Sequence, residues 1–148
     1  MEHTLTDLLL APQRRQQLIV DCVQLIEAHV EQRGGLKGMA LKTGMAMLKK
    51  AKPALLPRAT ALLLPEFVAA LEPLHQEFRA SGGADFRGFM LSRSDAATLA
   101  LLQVADARID ESDSAAVKST YFRLRGSAEI EVAAAIPRLA ELIGRHLH

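Results

Sequence analysis

The sequence predicts an all-α protein: a single compact bundle of about seven to nine helices, formed by one domain over residues 1–148. Aromatic residues make up only 4% of the chain and Trp is absent, so the core must consist of aliphatic and Met side chains, which favour helices. No window alternates apolar and polar residues with the period of two that is typical of strands. Apolar residues make up 49% of the 148 positions, enough for one core without cross-links.

Capping residues, prolines and glycines predict the boundaries of the first two helices. Thr4 and Asp7 have the spacing of a capping box, which indicates a short first helix. Pro12 suits the first turn of a long second helix, which is expected to end near Gln32. Gly34-Gly35 follows as its C-terminal signal.

The segment GGLKGMALKTGMAMLKKAKP, residues 34–53, is predicted to contain a helix over about residues 36–51. Its apolar residues do not form one stripe: Leu36, Met39, Ala40 and Met47 cover one side, and Leu41, Met45 and Leu48 cover much of the rest. A helix that is apolar nearly all round is usually central to its fold. We therefore expect this Gly/Met/Lys helix to be central, with Gly38, Gly44 and Ala46 admitting close neighbours.

Prolines, glycines and polar caps divide the remainder of the chain into further helices, several of them broken or kinked at Pro. The first of these runs from Pro53 and Pro57 to about Leu64, and the next is opened by Pro65 and kinked or broken at Pro73. Two further helices are capped by Asp85 and by Ser94. Another begins at Ser112 or Ser114 and is closed by Gly126, and the last helix runs to Leu147. Pro137 falls on the outward side of the last helix, where a bend would curl that helix around the core.

Charge is unevenly distributed, although the formal net charge is only +1. No acidic residue occurs between Glu31 and Glu66, and the candidate anion-binding residues of this interval are Lys37, Lys42, Lys49, Lys50, Lys52 and Arg58. Two interpretations stay open. Lysines at the end of a helix interact favourably with its dipole and form a solvated rim, or segment 33–58 binds an anionic ligand or lipid head group. A membrane surface is not favoured, because the polar and apolar faces are not separated.

The motifs of catalysis and ligand binding are missing from the sequence. Gly38 and Gly44 lack both the spacing and the preceding strand of a phosphate-binding loop. Cys22 and His29 are separated by about 10.5 Å of helix, too far to share one zinc ion. The acidic run DARIDESDS, residues 106–114, lacks the Gly and Glu of a calcium loop. The sequence therefore predicts no catalytic residue, no metal and no cofactor, and favours a non-enzymatic role.

Other classes of partner and location are constrained by residue placement. All five Phe and the single Tyr lie at position 67 or later, away from the basic segment, so nucleic-acid binding is disfavoured. No apolar run approaches the ~18 residues that a transmembrane helix needs. The single cysteine, Cys22, and the lack of a signal-peptide pattern predict a cytoplasmic protein.

Three segments carry a family resemblance: DCVQLIEAHVEQRGGLKGMALKTG, LLPEFVAALEPLHQEFRASGGADF and LRGSAEIEVAAAIPRLAELI. With their spacing they cover most of the chain, which resembles a small bacterial protein family of unknown function. The resemblance implies a compact helical domain, cytosolic and without assigned activity or catalytic residues. We expect a module that binds either itself or another protein; the alternative is the anionic ligand or lipid head group described above.

Overall fold

A computed structural model describes residues 4–147 of the chain, which form seven α-helices and no strand. The helices are α1 (Leu5–Leu9), α2 (Pro12–Gln32), α3 (Gly35–Ala51), α4 (Leu55–Ala80), α5 (Phe86–Ser92), α6 (Ser94–Asp110) and α7 (Ala115–Leu147). The all-α class is confirmed, and the number of helices lies within the expected range.

The first two helices begin and end where the sequence predicts. The Thr4 hydroxyl accepts a hydrogen bond from the Asp7 amide at 3.1 Å, and the Asp7 carboxylate accepts one from the Thr4 amide at 3.2 Å, which completes the capping box of α1. Helix α2 runs from Pro12 to Gln32, as expected. Gly35 has a φ of 73°, a left-handed conformation that glycine adopts readily and that reverses the chain between α2 and α3.

Two expected helix boundaries do not occur. Helix α4 continues through Pro65 and Pro73, and α7 continues through Gly126, so both predicted divisions are wrong. Each proline lacks one amide donor, but Leu64 and Val68 on either side of Pro65 are buried in the core and hold α4 together. A glycine inside a helix costs only about 0.5–1 kcal/mol relative to Ala, too little to end a helix that is held by packing.

Of the polar residues that were expected to cap the later helices, one forms a capping hydrogen bond and two do not. Ser114 precedes α7, and its hydroxyl accepts a hydrogen bond from the Val117 amide at 3.2 Å, as a cap should. Asp85 occupies the N-cap position of α5 without a side-chain capping bond. Ser94 is the first residue of α6 and Arg93 takes the cap position, so the expected cap is misplaced by one residue.

The hydrophobic core joins six of the seven helices. Its buried residues are Leu5, Leu9, Leu18, Ile19, Leu64, Val68, Leu71, Leu74, Phe78, Phe86, Met90, Ala97, Ile136, Ala140, Leu142 and Ile143. Phe86 of α5 is completely buried, and its ring meets that of Phe78 edge to face at 5.2 Å between centroids. Burying one such side chain contributes roughly 1.5–3 kcal/mol to folding, so α5, although short, is firmly held.

Helix α3 contributes no residue to this core, and the central position expected for it is wrong. Gly38 is its one buried residue, and Leu41, Met45 and Leu48 are half-buried. Among the described helices, α3 contacts α2 and α4 and no other. The helix is indeed apolar on two sides, but only one side packs, which places α3 at the edge of the bundle.

Candidate functional site

The outward side of α3 is an exposed apolar surface. Leu36, Met39, Thr43 and Met47 follow one another at intervals of three or four residues, so they share one side of the helix; we call them the outward stripe. Leu36 is 86% exposed, Met39 66% and Met47 67%. The stripe extends over about 16 Å of helix.

Helix α3 reaches this position because it folds back along α2. At its first turn, Gly38 packs so closely that a Cβ there would lie 2.1 Å from the carbonyl oxygen of Arg33. At its last turn, the Lys49 ammonium lies 3.3 Å from the Glu27 carboxylate of α2. The two helices therefore form a hairpin in which the outward stripe lies on the side of α3 away from α2.

A shallow open groove of about 430 Å3 runs between α2 and α3. It is lined by Gln24, Glu27, Ala28, Val30, Glu31, Lys42, Met45, Ala46 and Lys49. Carboxylates from α2 face ammonium groups from α3 here, and one of these pairs forms the ion pair just described. The groove thus carries both charges. Its carboxylates and ammonium groups link α2 to α3 and do not form a binding site for ligands of one charge.

The six candidate anion-binding residues are all exposed and lie on α3 or at the corner that leads into α4. They are Lys37, Lys42, Lys49 and Lys50 on α3, Lys52 at its C-cap, and Arg58 in the first turn of α4. Lys50 extends the outward stripe by one further turn, while Lys42 and Lys49 line the groove on the opposite side. The arrangement suits an extended acidic surface better than a small anion, because the side chains are spread along one helix.

A second exposed apolar surface lies where α6 turns into α7. Asp110, Glu111 and Asp113 are exposed in the turn, and Val117, Phe122 and Leu124 are exposed on the α7 residues that follow; we call these six residues the α6–α7 corner. The acidic run was considered above only as a calcium loop, and the exposure of the apolar residues beside it was not predicted. The available signal was that Val117 and Leu124 lie seven residues apart, on one side of the helix.

The first half of α7 is fixed on α6 by hydrogen bonds to Asp106. The Tyr121 hydroxyl donates to Asp106, and the Arg125 guanidinium donates to both carboxylate oxygens at 2.9 and 3.2 Å. The hydrogen bond from Arg125 holds the pKa of Asp106 below its usual value. These bonds occupy the inner side of α7, so the exposed residues of the α6–α7 corner have a fixed orientation.

Helix α2 ends in a cluster that ties it to the middle of α7. The Arg33 guanidinium donates to Glu131 at 2.7 and 2.8 Å, and the His29 imidazole lies 2.8 Å from the same carboxylate. The Arg33 hydrogen bonds, outweighing burial, lower the pKa of Glu131. Because Arg33 also contacts Gly38, this cluster sets the point from which α3 departs.

The C-terminal end of α7 meets the middle of α2 at Asp21. The His146 imidazole lies 2.7 Å from its carboxylate, and Gln17 donates to it at 2.8 Å. Burial raises the pKa of Asp21, but the hydrogen bonds from His146 and Gln17 outweigh it, so this pKa lies below its usual value. The adjacent Cys22 packs against the core as a small apolar group, and burial raises its thiol pKa to about 11. Within residues 4–147, no three His, Cys, Asp or Glu side chains are grouped as metal ligands.

The fold and these surfaces define a small all-α bundle protein that presents an apolar, lysine-bordered helix at its edge. Residues 5–147 match the sequence profile of a family described as "Family of unknown function (DUF6918)", and the chain belongs to that family. The predicted membership of a family of unknown function is thereby confirmed. No curated protein and no solved structure matches the chain.

No single helix among the described residues is both long and apolar enough to cross a bilayer. Helices α3 and α4 reach the required length and hydropathy only as a pair, and that pair is bent by 103°.

Proposed function

We propose that this protein is a non-enzymatic protein-interaction module and that the outward stripe of α3 is its binding surface. The observation that carries the proposal is the exposure of Leu36, Met39 and Met47 on a helix whose other apolar side is packed. The proposal includes a cytoplasmic location, supported by the one free cysteine.

The physical basis is the apolar surface that the outward stripe leaves in water. Burying a Leu or Met side chain stabilises a complex by roughly 1.5–3 kcal/mol relative to leaving it exposed. Methionine is unbranched and polarizable, so it adapts to irregular partner surfaces. The stripe contributes nothing to the core of the bundle, so its side chains are free to pack against a partner.

Site-specific photo-crosslinking tests this proposal. Benzoylphenylalanine is introduced at Met39 or Met47 of the full chain, and intact cells that express the protein are irradiated. Arg15, which is exposed near the start of α2, is the matched control position. We expect discrete protein adducts from positions 39 and 47 and none from position 15. Equal adduct yields at all three positions, or none at any, would contradict the proposed surface.

A second candidate function is binding to an anionic lipid surface or another anionic ligand through segment 33–58. It is favoured by one observation: the six basic side chains named above are all exposed, and no acid interrupts them. Basic side chains are attracted to an anionic membrane when they lie within about one Debye length of it, roughly 10 Å at 0.1 M salt. Lys50, beside the exposed Met47, would bring the outward stripe toward the acyl region.

Vesicle co-sedimentation tests the second candidate. The full chain is mixed with phosphatidylserine-containing vesicles or with pure phosphatidylcholine vesicles, at low and high salt. A variant carrying Lys50→Ala, Lys52→Ala and Arg58→Ala leaves the Lys49–Glu27 pair intact, and Arg15→Ala is the control. We expect binding to the anionic vesicles only, lost in the triple variant. Inorganic phosphate in competition distinguishes a free-anion site from a lipid surface, and binding that ignores lipid charge rejects the candidate.

A further inference from the structure

The outward stripe contains three large apolar side chains, and two of them are methionines, which a mild oxidant converts into polar residues. We propose that Met39 and Met47 are sites of reversible oxidation and that their conversion to methionine sulfoxide switches off the outward stripe as a binding surface. This inference rests on the proposed function, for which it names the regulation.

The methionine sulfur atoms of the chain differ in their access to solvent. Met39 and Met47 are exposed on the outer side of α3. Met45 of the same helix is half-buried against the groove, and Met90 is completely buried in the core. A peroxide has to reach the sulfur atom in order to react with it. Within residues 4–147, the two methionines of the outward stripe are therefore the thioethers most open to oxidation.

The single cysteine of the chain does not compete for the oxidant. The thiolate is the form of cysteine that peroxides attack. Cys22 packs against the core, and burial raises the pKa of its thiol to about 11, so the thiolate is scarce at neutral pH. The sulfur that the described part of the chain leaves open to an oxidant is thus concentrated on the surface proposed for binding.

The reaction is a two-electron oxidation of the thioether by hydrogen peroxide. A lone pair on sulfur attacks one peroxide oxygen, the O–O bond breaks, and a sulfur–oxygen bond forms. The sulfur is oxidised and the peroxide is reduced, and its second oxygen leaves as water after proton transfer. A methionine sulfoxide reductase reverses the change at the expense of a dithiol, which becomes a disulfide as water is released.

Oxidation removes most of the apolar surface that the outward stripe offers to a partner. The sulfoxide oxygen is a hydrogen-bond acceptor, and it would lose its bonds to water when a partner's apolar surface covers it, which opposes binding. Leu36 would remain as the only large apolar side chain of the stripe. The fold is expected to be unaffected, because neither methionine belongs to the core.

Peptide mapping by mass spectrometry tests the modification itself. The purified full chain is treated with hydrogen peroxide, and the oxidation of each methionine is followed over time. In the folded chain Met39 and Met47 are expected to oxidise at least about tenfold faster than Met90, since a buried sulfur reacts only after the structure opens. In urea the rates are expected to converge.

Photo-crosslinking from position 43 tests the switch. Thr43 lies between the two methionines in the outward stripe, so benzoylphenylalanine at this position leaves both sulfur atoms in place. The purified chain is oxidised, freed of peroxide, added to a lysate of the cells that express it, and irradiated. We expect the adduct yield to fall at least about tenfold, because burial of one Met side chain is worth roughly a factor of ten in affinity. Treatment with the reductase and a dithiol is expected to restore the adducts.

Two variants separate the switch from general oxidative damage. The double variant Met39→Leu and Met47→Leu keeps an apolar stripe that peroxide does not alter, so its adducts are expected to survive the treatment. Met45→Leu removes the thioether that lines the groove, and its adducts are expected to be lost as in the unmodified chain. Far-ultraviolet circular dichroism is expected to show the same helix content before and after oxidation.

Four outcomes overturn the inference and leave the proposed function standing. Met39 and Met47 oxidise no faster than Met90 in the folded chain; the oxidised chain still forms its adducts; the double Leu variant loses them as well; or their loss is accompanied by a loss of helix content. Absence of adducts from the untreated chain at position 43 rejects the proposed function together with the inference.

Discussion

Replacing Gly38 by Ala is expected to loosen α3, whereas the same replacement at Gly44 is expected to tighten it. A Cβ at position 38 would lie 2.1 Å from the carbonyl oxygen and 2.5 Å from the carbonyl carbon of Arg33. A Cβ at position 44 would meet nothing within 4 Å. Both positions are inside the same helix, so both substitutions gain helix propensity, and only the one at position 38 meets a close contact.

The size of the effect follows from two opposing contributions. Ordinary carbon–oxygen contacts are about 3.3 Å or longer, so α3 has to retreat by roughly 1 Å to accept the new methyl group at position 38. Overpacking of this kind costs about 1–3 kcal/mol, and Ala returns about 0.8–1 kcal/mol through its higher helix propensity. The difference between these contributions is about 0–2 kcal/mol. Because the atoms that a Cβ at position 38 would meet are backbone atoms, which cannot move aside as a side chain can, Gly38→Ala should lie in the upper part of that range and destabilise α3 by about 1–2 kcal/mol. Gly44→Ala should stabilise α3 by about 0.5–1 kcal/mol.

Native-state hydrogen exchange is the appropriate measurement, because α3 contributes no residue to the core and is therefore expected to open without it. Protection of the α3 amides is expected to fall about 5- to 30-fold in Gly38→Ala and to rise about two- to fivefold in Gly44→Ala. Protection of core amides in α4 should change little in either variant. Equal gains of protection in the two variants would refute the close contact between Gly38 and Arg33.

The remaining predictions concern the core. Phe86→Ala, at a fully buried ring, is expected to lower the free energy of unfolding by about 3–5 kcal/mol in urea denaturation, while Phe122→Ala, at an exposed ring, should stay within about 0.5 kcal/mol. His75 is buried with its Nδ1 unbonded, and burial lowers its pKa below the ordinary 6.5. The folded state therefore favours the neutral imidazole, and melting temperatures should fall as the pH drops below 6.5, with a smaller fall in His75→Leu. The raised pKa of Cys22, about 11, keeps its thiol protonated, so iodoacetamide should alkylate the native protein much more slowly than the urea-unfolded protein.

Local signals predicted the early helices well and the later ones less well. The capping box at Thr4 and the Pro12 start of α2 depend on residues within one helical turn, so the sequence alone is sufficient to find them. The break expected at Pro65 depends on tertiary burial of the flanking residues, which no short window contains. The helix end expected at Gly126 was wrong for the same reason, because a glycine ends a helix only where packing does not continue that helix.

The candidate site lies on α3, whose position in the bundle likewise depends on tertiary packing and was not predicted from local sequence. Apolar residues on two sides of a helix predict either burial or an unoccupied contact, and the sequence does not distinguish them. The exposure of Lys50 and Lys52 follows from composition, whereas the exposure of Met39 and Met47 depends on which side of α3 meets α2. That side is the one that carries Lys42, Met45 and Lys49, which line the groove against α2, and the contact is between two helices.

Tyr121 gives the molecule an optical property of its own. The chain has no Trp and a single Tyr, so near-ultraviolet emission comes almost entirely from this phenol, which donates a hydrogen bond to Asp106. Burial, together with Asp106, raises the pKa of Tyr121 to about 12, and a carboxylate that accepts a phenol's proton quenches its fluorescence. Separation of α7 from α6 should therefore brighten the protein, which offers a dye-free reporter for that junction.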